Sequence, residues 1–263
     1  MIELVIDARR KDLGGFEVGR VLPFHARPMV GPFIFLDQMG PAEFAPGSEA
    51  INVRPHPHIG LSTLTYLFEG AIMHRDSLGS RQQITPGAIN WMTAGRGIVH
   101  SERRPADLAG RDYVNHGLQL WAALPREHEE AEPAFVHTPA EAIPEVRVNG
   151  AVVRVLIGTA FGQQSPVATY SPTLYLDVQL PAGAAIDLPA LAPEMAVYGV
   201  DADLQIADEA LPARTMGVLP TGQGVQVRST EGAARFAVIG GAPLDGPRHM
   251  WWNFVSSRKE RIV

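Results

Sequence analysis

The fold is decided by the stretch from residue 61 to residue 102, which reads LSTLTYLFEGAIMHRDSLGSRQQITPGAINWMTAGRGIVHSE. Short runs rich in β-branched and aromatic residues alternate there with turns that contain Gly and Pro, and helical periodicity is scarce. Strands this short and evenly spaced are typical of a barrel or a jelly roll. A further apolar run at residues 117–124 predicts another strand of the same structure.

The wider sequence pattern indicates two β-rich halves. Residues 196–229 repeat the rhythm of strand, turn, strand, Pro/Gly turn and strand. The region between the halves is acidic and rich in Pro, which is typical of a connecting segment. We therefore expect an N-terminal barrel at residues 1–130, a linker at 131–145, and a C-terminal barrel with a tail at 146–263.

Composition narrows the class of protein. The chain has 263 residues, of which 46% are hydrophobic, with 26 Gly and 22 Pro, so a large core built from many short strands is expected. The net charge is −6 without a basic cluster, which argues against direct nucleic-acid binding. The absence of Cys excludes disulfides, thiolate zinc sites and iron–sulfur clusters. Without a signal peptide or a long apolar run, the chain is expected to be soluble and cytoplasmic, with no membrane contact.

Two pairs of polar residues carry the chemistry. His56 and His58 flank Pro57, which favours an extended backbone, and His100 and Glu102 repeat the spacing on a second predicted strand. Alternate side chains of a strand point to the same face, roughly 6.5 Å apart, so each pair can share one ion. If the intervening hairpins bring the two strands together, the four side chains form a set of three nitrogen ligands and one oxygen ligand.

The ligand types bear on the identity of the metal. Imidazole with carboxylate suits Fe(II), Ni, Cu, Mn, Co or Zn, and a mixed site with open positions suits iron-dependent oxygen chemistry. Two alternatives remain at this point. The residues could be ordinary polar groups of the surface or core, or they could act as acid and base in a metal-free barrel that isomerises sugars or small acids.

Other residues are weaker candidates. His74 and Asp76 lie on a predicted strand and could orient a metal ligand from behind, and Gln119 could line the pocket. Trp91 and Trp121 are expected in the core. The remaining histidines show no partner pattern.

Several segments together resemble the pirin family. The most specific of them are His56-Pro-His-Ile-Gly-Leu-Ser-Thr-Leu-Thr-Tyr-Leu-Phe-Glu-Gly70 and Trp91-Met-Thr-Ala-Gly-Arg-Gly-Ile-Val-His-Ser-Glu102. The segments at residues 30–37, 117–121 and 240–244 are similar as well. The likeness is dense over roughly residues 20–125.

The resemblance implies an all-β bicupin fold, with two jelly-roll barrels in one chain. It also implies a single metal ion, usually iron, in the N-terminal barrel, and the family's ligands fall on His56, His58, His100 and Glu102. Some bacterial members resemble quercetin 2,3-dioxygenases, whereas eukaryotic nuclear members are described as transcriptional co-regulators.

Three functions follow as hypotheses. In the first, an Fe(II)-dependent dioxygenase cleaves flavonols such as quercetin to a depside and carbon monoxide, with dioxygen as co-substrate and Glu102 as the catalytic base. In the second, a metal- or redox-sensing module binds a protein partner. In the third, a cupin isomerase keeps its activity when metal is removed.

Overall fold

The computed structural model describes all 263 residues, and short β-strands make up nearly all of its regular structure. The strands of the first part of the chain are β1 (Leu4–Asp7), β2 (Arg9–Asp12), β3 (Glu17–Leu22), β4 (Phe33–Phe44), β5 (Val53–His58), β6 (Leu61–Glu69), β7 (Ile72–Asp76), β8 (Arg81–Ile84), β9 (Ile89–Thr93), β10 (Ile98–Arg103), β11 (Tyr113–Ala123) and β12 (Ala134–Thr138). The later strands are β13 (Glu145–Val148), β14 (Ala151–Ile157), β15 (Thr159–Ala160), β16 (Gln163–Gln164), β17 (Thr173–Leu180), β18 (Ala185–Leu188), β19 (Glu194–Gly199), β20 (Leu204–Ile206), β21 (Glu209–Leu211), β22 (Thr215–Val218), β23 (Val225–Ser229), β24 (Ala234–Gly241), β25 (His249–Trp251) and β26 (Phe254–Ser256).

Helical structure is confined to single turns of 3-10 helix. These turns are η1 (Ala106–Leu108), η2 (Arg126–His128), η3 (Ala140–Ala142) and η4 (Lys259–Arg261). No helix has the length and apolar character needed to cross a lipid bilayer. The cytoplasmic location expected from the sequence stays a prediction.

The chain forms two compact units. One unit contains eight of the nine histidines and is called here the histidine-rich unit; it consists of Arg10–Arg20, Ile34–Ala140 and Leu244–Val263. The other, the histidine-poor unit, consists of Met1–Arg9, Val21–Phe33 and Glu141–Pro243. Each unit is therefore discontinuous in sequence.

The histidine-rich unit is built from two antiparallel sheets and a hairpin. The larger sheet has the strand order β12-β9-β6-β11-β4-β3-β2, and the smaller one has the order β5-β10-β7-β8. β25 and β26 pair as a separate hairpin. A cluster of buried side chains that includes Met39, Leu67, Ile72 and Ile84 forms part of its core. The smaller sheet carries both of the histidine pairs recognised in the sequence.

The histidine-poor unit repeats the plan of one large and one small sheet. Its large sheet has the order β1-β22-β19-β24-β17-β14-β13, and its small sheet has the order β18-β23-β20-β21. Alternating burial along β23 shows how such a strand directs every second side chain to the core. Aliphatic side chains with Phe236 fill the interior. The all-β, two-barrel architecture expected from the sequence is confirmed.

The division between the units differs from the continuous boundaries at residues 130 and 146. β1 pairs with β22 in the histidine-poor unit, while residues 244–263 belong to the histidine-rich unit. Residues 131–145, expected to be a linker, contain β12, which pairs with β9 from Ala134 to Thr138. These differences arise because strands pair with segments far away in the chain, and such pairing cannot be predicted from local composition. Where independently folding domains begin and end stays a prediction.

Candidate metal centre

The register of the small sheet brings the two histidine pairs together. β10 pairs with β5 so that His100 lies opposite His56 and Ile98 lies opposite His58. Because alternate residues of a strand share a face, the three histidines project from the same side of the sheet. On its other edge, β10 pairs with β7, which places Asp76 opposite His100 and His74 opposite Glu102.

Three imidazole groups converge at this face. Nitrogen atoms of His56, His58 and His100 all lie within 4.8 Å of one another. The Nε2 atoms of His58 and His100 are 3.1 Å apart, and both residues are buried. His56 is partly exposed, so the cluster has one side open toward the surface.

Electrostatics keeps the buried imidazoles neutral. Burial, together with the nearby charge of His56, lowers the pKa of His58 to about 3, against an opposing interaction with the backbone of Asn253. Burial also lowers the pKa of His100 well below its usual value, and His56, His58 and His74 add to the shift. Neutral imidazoles offer the lone pairs that a metal ion requires, so both groups are ready to bind one near neutral pH.

Neighbouring groups fix which ring nitrogens point inward. His56 Nδ1 lies 2.8 Å from the carbonyl oxygen of Arg54, to which it can donate a proton. His100 Nδ1 lies 3.4 Å from His74 Nδ1, and His74 Nε2 lies 2.9 Å from Asp76 Oδ2. With these partners on the Nδ1 side, the Nε2 atoms of His56 and His100 are left for a metal ion.

Asp76 is suited to accept a hydrogen bond from His74. Although burial acts in the opposite direction, hydrogen bonds from His74 and from the N–H groups of Ser80 and Leu78 lower the pKa of the Asp76 carboxyl group. The His74 ring also stacks on Phe135, with centroids 4.2 Å apart and planes 12° apart. The contact with Asp76 therefore fixes the edge of the His74 ring, and the stack on Phe135 fixes its face.

Glu102 lies two residues after His100 on β10, but it is not part of the close group of three histidines. Its Oε1 atom is 3.3 Å from the hydroxyl of Thr65, which lies on the opposite sheet. Thr65 Oγ1 is also 2.9 Å from Gln119 Oε1. A hydroxyl has one hydrogen to donate, so it can serve only one of these oxygens at a time.

The structure brings together most of the residues that the sequence indicates. His56, His58 and His100 form one cluster, His74 and Asp76 lie behind it, and the position of Gln119 is linked to Glu102 through Thr65. Glu102 as a fourth ligand stays a prediction.

Three neighbours of the site had no signal in the sequence. Thr65 is a neutral residue in a strand of similar residues. Trp121 was expected in the core and is buried, but its ring also meets His58 edge-on at 5.1 Å. Phe135 falls in the segment expected to be a linker, and only the pairing of β12 brings it to His74.

The chemistry of this donor set fits one transition-metal ion. Metal–nitrogen bonds are about 2.0–2.1 Å long, so imidazole nitrogens that share an ion lie about 3 to 4 Å apart. The 3.1 Å separation of the His58 and His100 Nε2 atoms matches this range. His58 Nδ1 is the only imidazole nitrogen buried without a hydrogen bond of normal geometry.

Two family models match the chain in sequence. The model described as Pirin matches residues 15–122, and the model described as Pirin C-terminal cupin domain matches residues 175–263. A pirin-like protein from Caulobacter vibrioides is 51% identical over all of this chain and 91% of its own length. The chain belongs to the pirin family.

Solved structures agree with the assignment of this chain to the pirin family. The crystal structure of a quercetin 2,3-dioxygenase from Acinetobacter baumannii has a TM-score of 0.91 and 35% identity, and the match covers 98% of this chain and 85% of the other. A bacterial pirin from Escherichia coli in complex with nickel(II) has a TM-score of 0.71 over 93% of this chain and 100% of the other. Its identity is 16%, so that likeness concerns the fold.

Proposed function

We propose that this pirin is a metal-dependent dioxygenase that uses Fe(II) to cleave flavonols such as quercetin. The observation that carries the proposal is the cluster of three imidazole groups, with Glu102 two residues after His100 on the same strand. The similarity to a quercetin 2,3-dioxygenase from Acinetobacter baumannii supports the substrate class. The reaction consumes one flavonol and one dioxygen, and it yields a depside and carbon monoxide.

His56, His58 and His100 would hold the ion, with Glu102 as the fourth ligand. The ion would supply Lewis acidity that lowers the pKa of the flavonol 3-hydroxyl, and redox chemistry toward dioxygen. Buried His58 and His100 leave the partly exposed His56 as the side from which a flat aromatic substrate enters. The rings of Trp121 against His58 and of Phe135 against His74 give the site aromatic surface, which favours such a substrate.

Glu102 is the base for the 3-hydroxyl proton. Thr65 Oγ1 lies closer to Gln119 Oε1 than to Glu102 Oε1, so its single hydrogen is directed to Gln119. The Glu102 carboxylate therefore keeps its lone pairs for the proton of the substrate. Once protonated, Glu102 can donate a hydrogen bond to Thr65 Oγ1.

His74 and Asp76 orient His100 from behind. The Asp76 carboxylate accepts from His74 Nε2, which leaves His74 Nδ1 as the acceptor for the N–H at His100 Nδ1. This arrangement gives His100 one tautomer, with Nε2 free to bind the ion.

The test is aerobic bleaching of quercetin by the iron-loaded protein. We expect the wild-type protein to consume quercetin with release of carbon monoxide, and Glu102→Gln to lose this activity while it still binds metal. Glu69→Gln, which changes an exposed carboxylate at the end of β6, is the matched control and should keep the wild-type rate. Full activity in metal-loaded Glu102→Gln would show that the base is assigned wrongly.

The other functions expected from the sequence predict different results in the same assay. A metal-loaded wild-type protein that leaves quercetin unchanged contradicts the dioxygenase proposal and favours a metal- or redox-sensing protein. Because the net charge is −6, the partner of such a sensor would be a protein rather than a nucleic acid. An isomerase would stay active in the presence of a chelator.

A further inference from the structure

A segment distant in sequence from the histidine cluster lies directly against it. Residues 245–258, called here the strap, contain the hairpin of β25 and β26. Val255 N donates to the carbonyl oxygen of Ile59 at 3.2 Å, and Phe254 forms an isolated bridge with Ile59. Ile59 directly follows the metal-site residue His58.

The strap is attached by a buried carboxylate. Glu129 accepts hydrogen bonds from Ser256 Oγ at 3.1 Å, from Ser257 Oγ at 3.0 Å and from the Ser257 backbone N–H. It also forms an ion pair with Arg248 Nε at 3.1 Å, and the side chains of Arg248 and Glu129 are only 1% and 3% exposed. Arg248 in turn donates to the carbonyl oxygen of Leu124 at 2.8 Å.

Such an attachment is a costly way to stabilise a fold. Burial of a carboxylate and a guanidinium removes both from water, and apolar residues of similar volume often give equal or greater stability. What an ion pair with several hydrogen bonds does provide is one defined position for the attached segment. The position fixed here is that of the strap relative to β5.

The strap fixes the backbone directly beside His58. Phe254 and Val255 pair with Ile59, and a Cβ atom on Gly60 would lie 1.9 Å from the carbonyl oxygen of Val255. The place of the backbone after His58 therefore depends on the strap, and the strap depends on the attachment at Glu129.

We infer that Glu129 is a positioning residue for the metal site, because it fixes the strap that pairs with Ile59, the residue directly after His58. The inference rests on the metal site of the proposed function. It assigns to the strap a supporting role for His58, through backbone pairing with the next residue, as Asp76 and His74 support His100 through side chains. Ligands held from behind in this way lose metal affinity when the supporting group is removed.

The experiment measures the dissociation constant for Ni²⁺ by competition with a chelating dye, in the full-length protein. Glu129→Gln removes the negative charge from the attachment. The matched control is Asp177→Asn, since Asp177 is an equally buried carboxylate that pairs with Arg235 at 3.2 Å in the histidine-poor unit. Thermal unfolding of each variant shows the structural cost of its substitution.

We expect Ni²⁺ to bind Glu129→Gln more weakly than the wild-type protein by on the order of ten-fold or more. Asp177→Asn should bind Ni²⁺ as the wild-type protein does, even where its melting temperature falls. Equal dissociation constants for Glu129→Gln and the wild type, or equal losses in both variants, would overturn the inference.

Two further outcomes can be distinguished from these: a Glu129→Gln variant that does not fold, and a wild-type protein that does not bind Ni²⁺. If Glu129→Gln does not fold, Ser257→Ala removes only one hydrogen bond of the attachment. Weaker Ni²⁺ binding by Ser257→Ala supports the inference, and unchanged binding overturns it. A wild-type protein that binds no Ni²⁺ contradicts the metal site of the proposed function instead.

Discussion

Tyr113 is a single residue whose ionisation should be visible in the stability of the whole unit. Its hydroxyl donates to the carbonyl oxygen of Ala71, accepts from the Ala71 N–H at 3.3 Å, and lies 3.1 Å from Asn115 Oδ1. Burial raises the pKa of Tyr113 to about 12, against opposing effects of Ala71 and Arg104. The unfolded chain therefore releases this proton at lower pH than the folded protein does.

The sign of the pH effect follows from that difference. Between the usual tyrosine pKa of about 10 and the folded value of about 12, the unfolded state binds fewer protons, so the free energy of unfolding should fall as pH rises. Tyr113→Phe should lose about 1–3 kcal/mol at neutral pH, because it leaves the buried polar groups of Ala71 without their partner. The free energy of unfolding of this variant should then lack the decline at alkaline pH that Tyr113 causes.

Denaturant unfolding at pH 7 and at about pH 11 measures both effects. Tyr170→Phe is the control, since Tyr170 is exposed, and its stability should follow that of the wild type at both values. A decline above pH 10 that is equally steep in Tyr113→Phe and in the wild type would assign it to other groups.

At the same scale, the sequence predicts side chains that share one strand better than side chains that meet across sheets. The spacing of His56 with His58, and the place of His100 after a turn, were sufficient to predict the cluster. The sequence could not identify Thr65 as a neighbour of the site, because its hydroxyl reaches Glu102 only when the two sheets face each other. A neutral residue in a strand carries no signal of that contact.

At the scale of elements, Gly60 sets how closely the strap approaches β5. Its φ is +71°, and a Cβ atom there would lie 1.9 Å from the carbonyl oxygen of Val255. Gly79 has a similar φ of +91° but has open space around it. A comparison of alanine substitutions at these two positions separates the cost of backbone strain from the cost of displacing the strap.

Gly79→Ala should lose about 1–2 kcal/mol of unfolding free energy, because alanine disfavours the left-handed backbone. Gly60→Ala carries the same strain and must also displace the strap, so it should lose about 2–5 kcal/mol in all. Denaturant unfolding gives these values, and Ni²⁺ titration should show weaker binding by Gly60→Ala alone. If both variants bind Ni²⁺ equally well, the strap can move without effect on the metal site.

Local pattern predicts strands well where they form a continuous series. The predicted strands between residues 61 and 102 coincide closely with β6 to β10. The same reasoning missed β12, because Pro133 and the acidic residues before it suggest a connecting segment. β12 exists because it pairs with β9 from Ala134 to Thr138, and no property of five residues alone reveals a partner more than forty residues away.

At the scale of the whole molecule, the two units share one arrangement of sheets but differ in their content of histidine. Both units contain a seven-stranded and a four-stranded sheet, but His25 is the only histidine of the histidine-poor unit. The resemblance to the pirin family, which implies a single metal ion in the N-terminal barrel, led us to expect this contrast. It did not predict that β1 would pair with β22 or that residues 244–263 would belong to the other unit, because segments near the two ends of the chain have no local signal of their partners.

Metal binding should therefore change the dynamics of one unit only. An ion that binds the folded state stabilises it by about 4 kcal/mol at a thousand times its dissociation constant. Hydrogen–deuterium exchange with and without Ni²⁺ should show slower exchange in peptides from residues 34–140 and 244–263, including the strap. Peptides from residues 141–243 should exchange at the same rate in both conditions. The His56→Ala/His58→Ala variant should show no slowing with Ni²⁺, and slowing in residues 141–243 would instead indicate a second metal site in the histidine-poor unit.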